Sequence, residues 1–318
     1  MRKVRFWGTR GSIPVALNAH AVRRKVAAVL RAAQGKKLNS PLDIEQFLDA
    51  LDFPLVGTYG GNSSCVEIES GKEYVLCDMG SGARAFAQEA LQRHGAASPQ
   101  IYHILISHLH TDHLVGFPFF TPAYLPGNKI HIYGCHPGLE AAVQGQMADP
   151  VFPVGFVTLP AQIEFHQLAP DQTTVIAGIH VTPKLQDHGG DSYGYRFVQN
   201  GKTVVYSTDA EHRLENAKAT AAVVDFFRGA DLVVFDSMYS LAEQMSVKAD
   251  WGHSSNVVGV ELCQMAGARH LALFHHEPSA DDAAIHKVLL ESRRLEEITR
   301  AGAALKVSAA YDGLEIVL

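Results

Sequence analysis

The chain has 318 residues, 47% hydrophobic and 19% charged, with 27 Lys+Arg against 33 Asp+Glu for a formal net charge of −6. That balance excludes general disorder and a fibrous repeat, and the acidic total argues against a broad nucleic-acid surface, which needs cations to neutralise phosphates. No apolar run approaches the roughly 18 residues of a membrane span, and Gly8, Arg10 and Gly11 interrupt the segment where the apolar part of a secretion signal would lie. A cytoplasmic chain with no membrane partner is expected. Neither an internal repeat nor a low-complexity linker divides the sequence, so a single domain over 1–318 is expected.

In chain order, a strand is predicted at 4–7 and a helical-hairpin insertion over 18–54. The first half of the hairpin carries Arg23, Arg24, Lys25, Arg31, Lys36 and Lys37 with no acid among them, while Val22, Val26, Val29, Leu30 and Ala33 recur at helical spacing. The second half opens on Ser40-Pro41-Leu42-Asp43, a capping box with proline at the first helical position, and continues with Ile44, Phe47, Leu48 and Leu51 on one stripe. Such an insertion suits a surface decoration, a subunit contact, or a lid whose cations meet an anionic substrate. Further strands are predicted at 65–69, 74–77, 101–106, 129–133, 179–183, 193–198, 203–207, 232–235, 270–274 and 314–317. Helices are predicted at 82–94, 136–147, 215–228, 254–267 and 280–300, the last with Ser279 and Asp282 as its capping box. Strands in both halves with helices between them predict an α/β fold, a sheet sandwich covered by helices.

Cys65, Cys77, Cys135 and Cys263 are too few and too scattered for a disulfide framework and read as reduced, buried residues. Histidine is over-used, at 17 residues, which points to metal. The apolar run Ile104-Leu105-Ile106 leads into Ser107-His108-Leu109-His110-Thr111-Asp112-His113. His108 and His110, two apart on an extended segment, can point the same way, and Asp112 and His113 can address a second cation beside the first. Two ions about 3.5 to 4 Å apart clamp the attacking and leaving oxygens of a displacement. Each ion wants about four ligands, so further donors should end other strands. His188, Asp209 and His275 stand at such places, and the carboxylate of Asp209 can bridge two ions. Asp78, at a strand end before Gly80, reads as an anchor for a metal-binding imidazole rather than as a ligand.

This series of His-x-His-x-Asp-His followed by later His, Asp and His resembles the metallo-β-lactamase superfamily. Gly8-Thr9-Arg10-Gly11-Ser12-Ile13-Pro14, Gly60-Gly61-Asn62-Ser63-Ser64-Cys65, Asp78-Met79-Gly80-Ser81-Gly82 and Trp251-Gly252-His253-Ser254-Ser255 are similar to the branch holding ribonuclease Z, the coenzyme PQQ protein B group and class II cyclic-nucleotide phosphodiesterases. The resemblance implies an αββα sandwich with two divalent ions at one edge, zinc by the imidazole-rich donors, with manganese or iron as alternatives. It implies that His108, His110 and His188 hold the first ion and Asp112, His113 and His275 the second, with Asp209 bridging. It prefers His275 over the adjacent His276. A hydroxide between the ions would be the nucleophile, with Asp112 also orienting it. His253 matches the histidine that stabilises charge at, or protonates, the leaving oxygen; otherwise it would cap the helix starting at Ser254. A homodimer is a further family-level expectation.

Between His188 and Asp209 lie only 20 residues, too few for the tRNA-clamping arm of ribonuclease Z, so no tRNA substrate is expected. Asp209 stands where the best-known zinc lactamases carry cysteine, and His110 where flavin-linked di-iron members carry an acid. The leading expectation is a phosphodiesterase acting on a small anionic molecule such as a cyclic nucleotide. The alternatives are ester, lactone or thioester hydrolysis at the same ions, or a non-catalytic metal-binding scaffold.

Overall fold

A computed structural model describes residues 1–239 and 251–318. Two seven-stranded sheets form a sandwich. The first sheet runs in the order β14 (Glu315–Val317), β1 (Lys3–Gly8), β2 (Cys65–Glu69), β3 (Tyr74–Cys77), β4 (Ile101–Leu105), β5 (Lys129–Gly134), β6 (Gln162–Gln167). The second runs β13 (Lys306–Ala309), β12 (His270–Phe274), β11 (Leu232–Asp236), β10 (Lys202–Ser207), β9 (Ser192–Gln199), β8 (Ile179–Gln186), β7 (Thr174–Ile176). β3 to β6 pair in parallel, as do β10 to β13.

The alternation of each strand explains the layering. One set of side chains, including Val4, Phe6, Val75, Leu105, Val181, Phe197, Val234 and Phe274, fills the space between the sheets. The opposite set of the first sheet, including Leu76, Ile104, Ile130 and Ile132, packs under α4 (Gly82–His94) and α5 (Leu139–Gly145). That of the second, including Val205, Val233, Phe235 and Leu273, packs under α6 (Ala217–Phe227), α7 (Asn256–Ala266) and α8 (Asp282–Thr299). The expected αββα sandwich is therefore present. All four cysteines are free and buried.

Three strands, β6, β7 and β13, were not predicted. Each lies at the rim of its sheet, β6 has no fully buried residue and β7 exposes two of its three, and the strands are too short or too polar for an apolar run to mark them. The hairpin forms helices α1 (Ala19–Ala32) and α2 (Pro41–Asp49), followed by a short α3 (Phe53–Val56). The Ser40 capping box closes as predicted, with Asp43 N–H donating to Ser40 Oγ at 3.2 Å and Ser40 N–H to Asp43 Oδ2 at 2.9 Å. The apolar stripe of α1 stays largely in solvent, since Val22, Val26 and Leu30 are exposed, and α1 rests on α3, which in turn meets α8. The N-cap of α8 is Asp281, not the expected Ser279, because the Asp282 carboxylate is engaged elsewhere: it accepts from Thr58 Oγ1 at 3.0 Å and Tyr59 N–H at 2.8 Å and pairs with Lys25.

Candidate metal centre

The parallel strands bring their carboxyl ends to one edge of the sandwich, and every predicted donor follows one of those ends or the neighbouring turn at β8. β4 leads through Ser107 to His108, and a 3₁₀ turn over Thr111–His113 then turns Asp112 and His113 inward. His188 follows β8, Asp209 follows β10 and His275 follows β12. Asp78, Asp209 and His275 sit at φ 61°, 43° and 59°, left-handed conformations that end each strand sharply and swing the side chain toward the edge.

Two groups result. Ligating atoms of His108, His110 and His188 lie within 4.8 Å of one another, and so do those of Asp112, His113, Asp209 and His275. Asp209 joins them through its two oxygens. Its Oδ2 is 3.6 Å from His108 Nε2 and 3.8 Å from His188 Nε2, while its Oδ1 is 3.2 Å from both His113 Nε2 and His275 Nε2. The structure thus brings together all seven predicted ligands.

Their ring orientations are set from behind. His188 Nδ1–H donates to Gly252 O at 2.7 Å, leaving Nε2 toward the site. His113 Nδ1–H donates to Asp78 Oδ2 at 2.7 Å, and Asp78 also accepts from Ser107 N–H at 2.7 Å, Ser107 Oγ at 2.8 Å and Tyr206 Oη at 2.7 Å. The reading of Asp78 as an anchor matches this geometry. His276 points away and donates from Nε2 to Ala310 O at 2.8 Å, whereas His275 faces the carboxylates. Burial disfavours charge on Asp112 and Asp209, yet the histidines around them hold both carboxyls well below their ordinary range. Burial likewise opposes charge on His113, but Asp209, Asp112 and Asp78 raise its pKa well above the histidine value.

His253 borders both groups, with ring centroids 5.1 Å from His188 and 5.1 Å from His275. It does not cap α7, whose N-cap is Ser255, accepting from Val258 N–H. Instead His253 Nδ1–H donates to Asp236 Oδ2 at 2.8 Å. Burial works against its charge, and Asp236 outweighs burial, so the pKa is pushed up to about 9. Sequence reasoning missed Asp236, although β11 ends on it much as β10 leads to Asp209. It also missed Tyr206, whose alternation within β10 was the only available signal. Two glycines make room: a Cβ on Gly11 would lie 2.6 Å from His275 Cε1, and one on Gly252 2.5 Å from His188 Nδ1.

Cations fit this set. Among the described residues, His108 Nε2 and His113 Nε2 are buried without a hydrogen-bond partner while facing the Asp209 carboxylate, an arrangement that is costly unless a cation fills it. Five imidazoles beside the carboxylates of Asp112 and Asp209 supply the nitrogen donors that divalent transition metals favour.

Residues 73–276 match the family described as beta-lactamase superfamily domain. Ribonuclease Z of Thermoplasma acidophilum is 21% identical over 271 residues, covering 70% of this chain and 81% of that protein. Among solved structures, the metallo-beta-lactamase fold protein YhfI from Bacillus subtilis superposes with a TM-score of 0.64 at 16% identity, over 99% of this chain and 98% of its own. The human tRNase Z, short form, gives 0.59 at 19% identity, over 99% and 98%. The expectation of no tRNA substrate is corrected by these relatives. Its two grounds were physically weak: the charge of a whole chain does not set the charge at a site, and the lack of an arm between His188 and Asp209 does not by itself exclude such a substrate. Among the described residues no helix is long and apolar enough to cross a membrane. With its sandwich, its clustered donors at one sheet edge and its match over residues 73–276, this chain belongs to the metallo-β-lactamase superfamily and is a metal-dependent hydrolase.

Proposed function

We propose that the chain hydrolyses phosphodiesters with two divalent cations, zinc by the imidazole-rich donor set. His108, His110 and His188 would hold one cation and Asp112, His113 and His275 the other. The observation that carries the reading is Asp209, whose two oxygens each face one histidine group. When bound, such a pair neutralises phosphoryl oxygens and brings the pKa of water toward neutrality, supplying a nucleophile.

The chain's own residues do the rest. Asp112, buried and ionised at the edge of the second group, would accept a hydrogen bond from the O–H of the nucleophile and so fix its direction. His253 is held at Nδ1 by Asp236, which leaves Nε2 to give a proton to the leaving oxygen. The Asp236 carboxylate against Nδ1 favours the protonated ring. A proton donor matters most for a poor leaving group such as a ribose oxygen, which favours phosphodiesters over activated thioesters.

The test is turnover by the zinc-loaded chain of bis(p-nitrophenyl) phosphate, cyclic nucleotides and a precursor tRNA, with thioester and lactone substrates alongside. Phosphodiester cleavage is expected, with Asp209→Ala inactive and His253→Ala lowering kcat on an unactivated ester by about 10² to 10⁴. Turnover of thioesters or lactones with no phosphodiester cleaved would overturn the reading, and the relative rates on tRNA and cyclic nucleotides would define the substrate.

A further inference from the structure

A second cluster of imidazoles lies on the first sheet and shares no residue with the centre above. β5 and β6 pair in parallel with His131 opposite Glu164 and Tyr133 opposite His166. Cross-strand partners share a face, as do residues two apart on one strand, so His131, Glu164 and His166 stand together. The alternate positions Ile130 and Ile132 are buried under the helices on the other face.

The three side chains converge. His131 Nδ1 lies 3.0 Å from His166 Nε2 and 3.4 Å from Glu164 Oε2, and His166 Nε2 lies 3.8 Å from the same oxygen. A tetrahedral ion with bonds of about 2.0 to 2.2 Å places its ligand atoms roughly 3.3 to 3.6 Å apart. The observed triangle brackets that spacing, so small side-chain adjustments would admit an ion. One hydrogen bond between the imidazoles accounts for the 3.0 Å contact but not for the carboxylate oxygen facing both nitrogens.

The surroundings hold the donors in place. The His131 ring stacks on His103 at 5.1 Å and 16°, and the His166 ring on Tyr133 at 4.6 Å and 19°. His103 is in turn fixed between Glu73 Oε2 at 2.8 Å and Tyr133 Oη at 3.0 Å. Glu164 Oε1 accepts from Gln162 Nε2 at 2.7 Å, which leaves Oε2 for the cluster. Ring stacking restrains both imidazoles, and the Gln162 hydrogen bond orients the carboxylate. The side chains of Glu164 and His166 are 43% and 36% exposed, so a fourth position is open to water.

We propose that His131, Glu164 and His166 form a third metal site, binding one zinc-like divalent cation through two imidazoles and a carboxylate. Wild type, His166→Gln and Glu164→Gln/His166→Gln are dialysed against micromolar zinc chloride, and bound zinc per chain is measured by mass spectrometry. Both changes fall on partly exposed side chains, so the variants should fold. Each is expected to bind one zinc fewer than wild type while turning over bis(p-nitrophenyl) phosphate at the wild-type rate. Cobalt loading should show a tetrahedral absorption band in wild type that is reduced in His166→Gln. Equal zinc content in all three chains would overturn the proposal. The difference between chains reads this site whether or not the Asp209 centre fills, so the two proposals fail separately.

Discussion

At Asp78 four groups meet one carboxylate: the Ser107 N–H and Oγ, the Tyr206 hydroxyl and the His113 Nδ1–H. All are buried, so replacing the carboxylate strands several donors at once. Asp78→Asn keeps the size but puts an amide N–H where acceptors are needed. It should weaken zinc binding by about 10 to 100-fold, read by competition with a chelator, while Asp209→Asn should be worse because it touches both groups. An unchanged affinity in Asp78→Asn would show that His113 needs no anchor. Gly252 offers a steric counterpart, sitting at φ 80° with its missing Cβ 2.5 Å from His188 Nδ1. Gly252→Ala should displace the His188 ring, lose the 2.7 Å contact to Gly252 O and lower kcat, and the left-handed backbone strain should lower the melting temperature as well.

Among the elements, α1 is held to the sandwich through few contacts. Lys25 pairs with Asp282 Oδ2 at 2.6 Å and donates to Gly57 O at 2.9 Å, so one side chain ties α1 to the start of α8 and to the turn after α3. Lys25→Ala should leave the Asp282 carboxylate buried with only Thr58 and Tyr59 as partners and loosen α1. Limited proteolysis is then expected to cut within 19–56 several times faster, with zinc content unchanged. A cleavage rate equal to wild type would mean that the packing of α1 on α3 suffices. The helix start that the sequence announced most clearly was the one with local chemistry, the Ser40 box of α2, whereas the Asn18 cap of α1 went unread. The start of α8 was misplaced by one competing interaction, since the preference of Asp282 for Thr58 and Tyr59 is a contact over more than 220 positions and has no local trace.

For the molecule as a whole, buried neutral histidines make stability depend on pH. Burial, then the nearby Lys306 and Arg293, lower the His270 pKa to about 4, against about 6.5 when unfolded. The unfolded chain therefore binds the extra proton first as pH falls. This contribution is complete above pH 6.5, is lost progressively down to about pH 4 and is flat below, with a total of up to about 3 kcal/mol. His270→Gln can keep a hydrogen bond to Ser308 Oγ and should flatten the loss of unfolding free energy between pH 6.5 and 4 relative to wild type. Parallel pH profiles would contradict it. His212 and His276 are also lowered to about 4, so the acid limb should persist in reduced form.

What the sequence by itself determined was the set of strands rich in apolar residues, the Ser40-capped helix and the seven side chains that cluster at the sheet edge, because the His108–His113 motif and the strand-end positions of His188, Asp209 and His275 are properties of short segments. Tertiary structure decided the rest. That Asp236 holds His253, that Tyr206 and Ser107 complete the support of Asp78, and that His131 meets Glu164 and His166 all depend on which strands lie side by side. Sheet order is set by long-range burial of two faces at once, and a residue two strands away leaves no periodic mark in the chain.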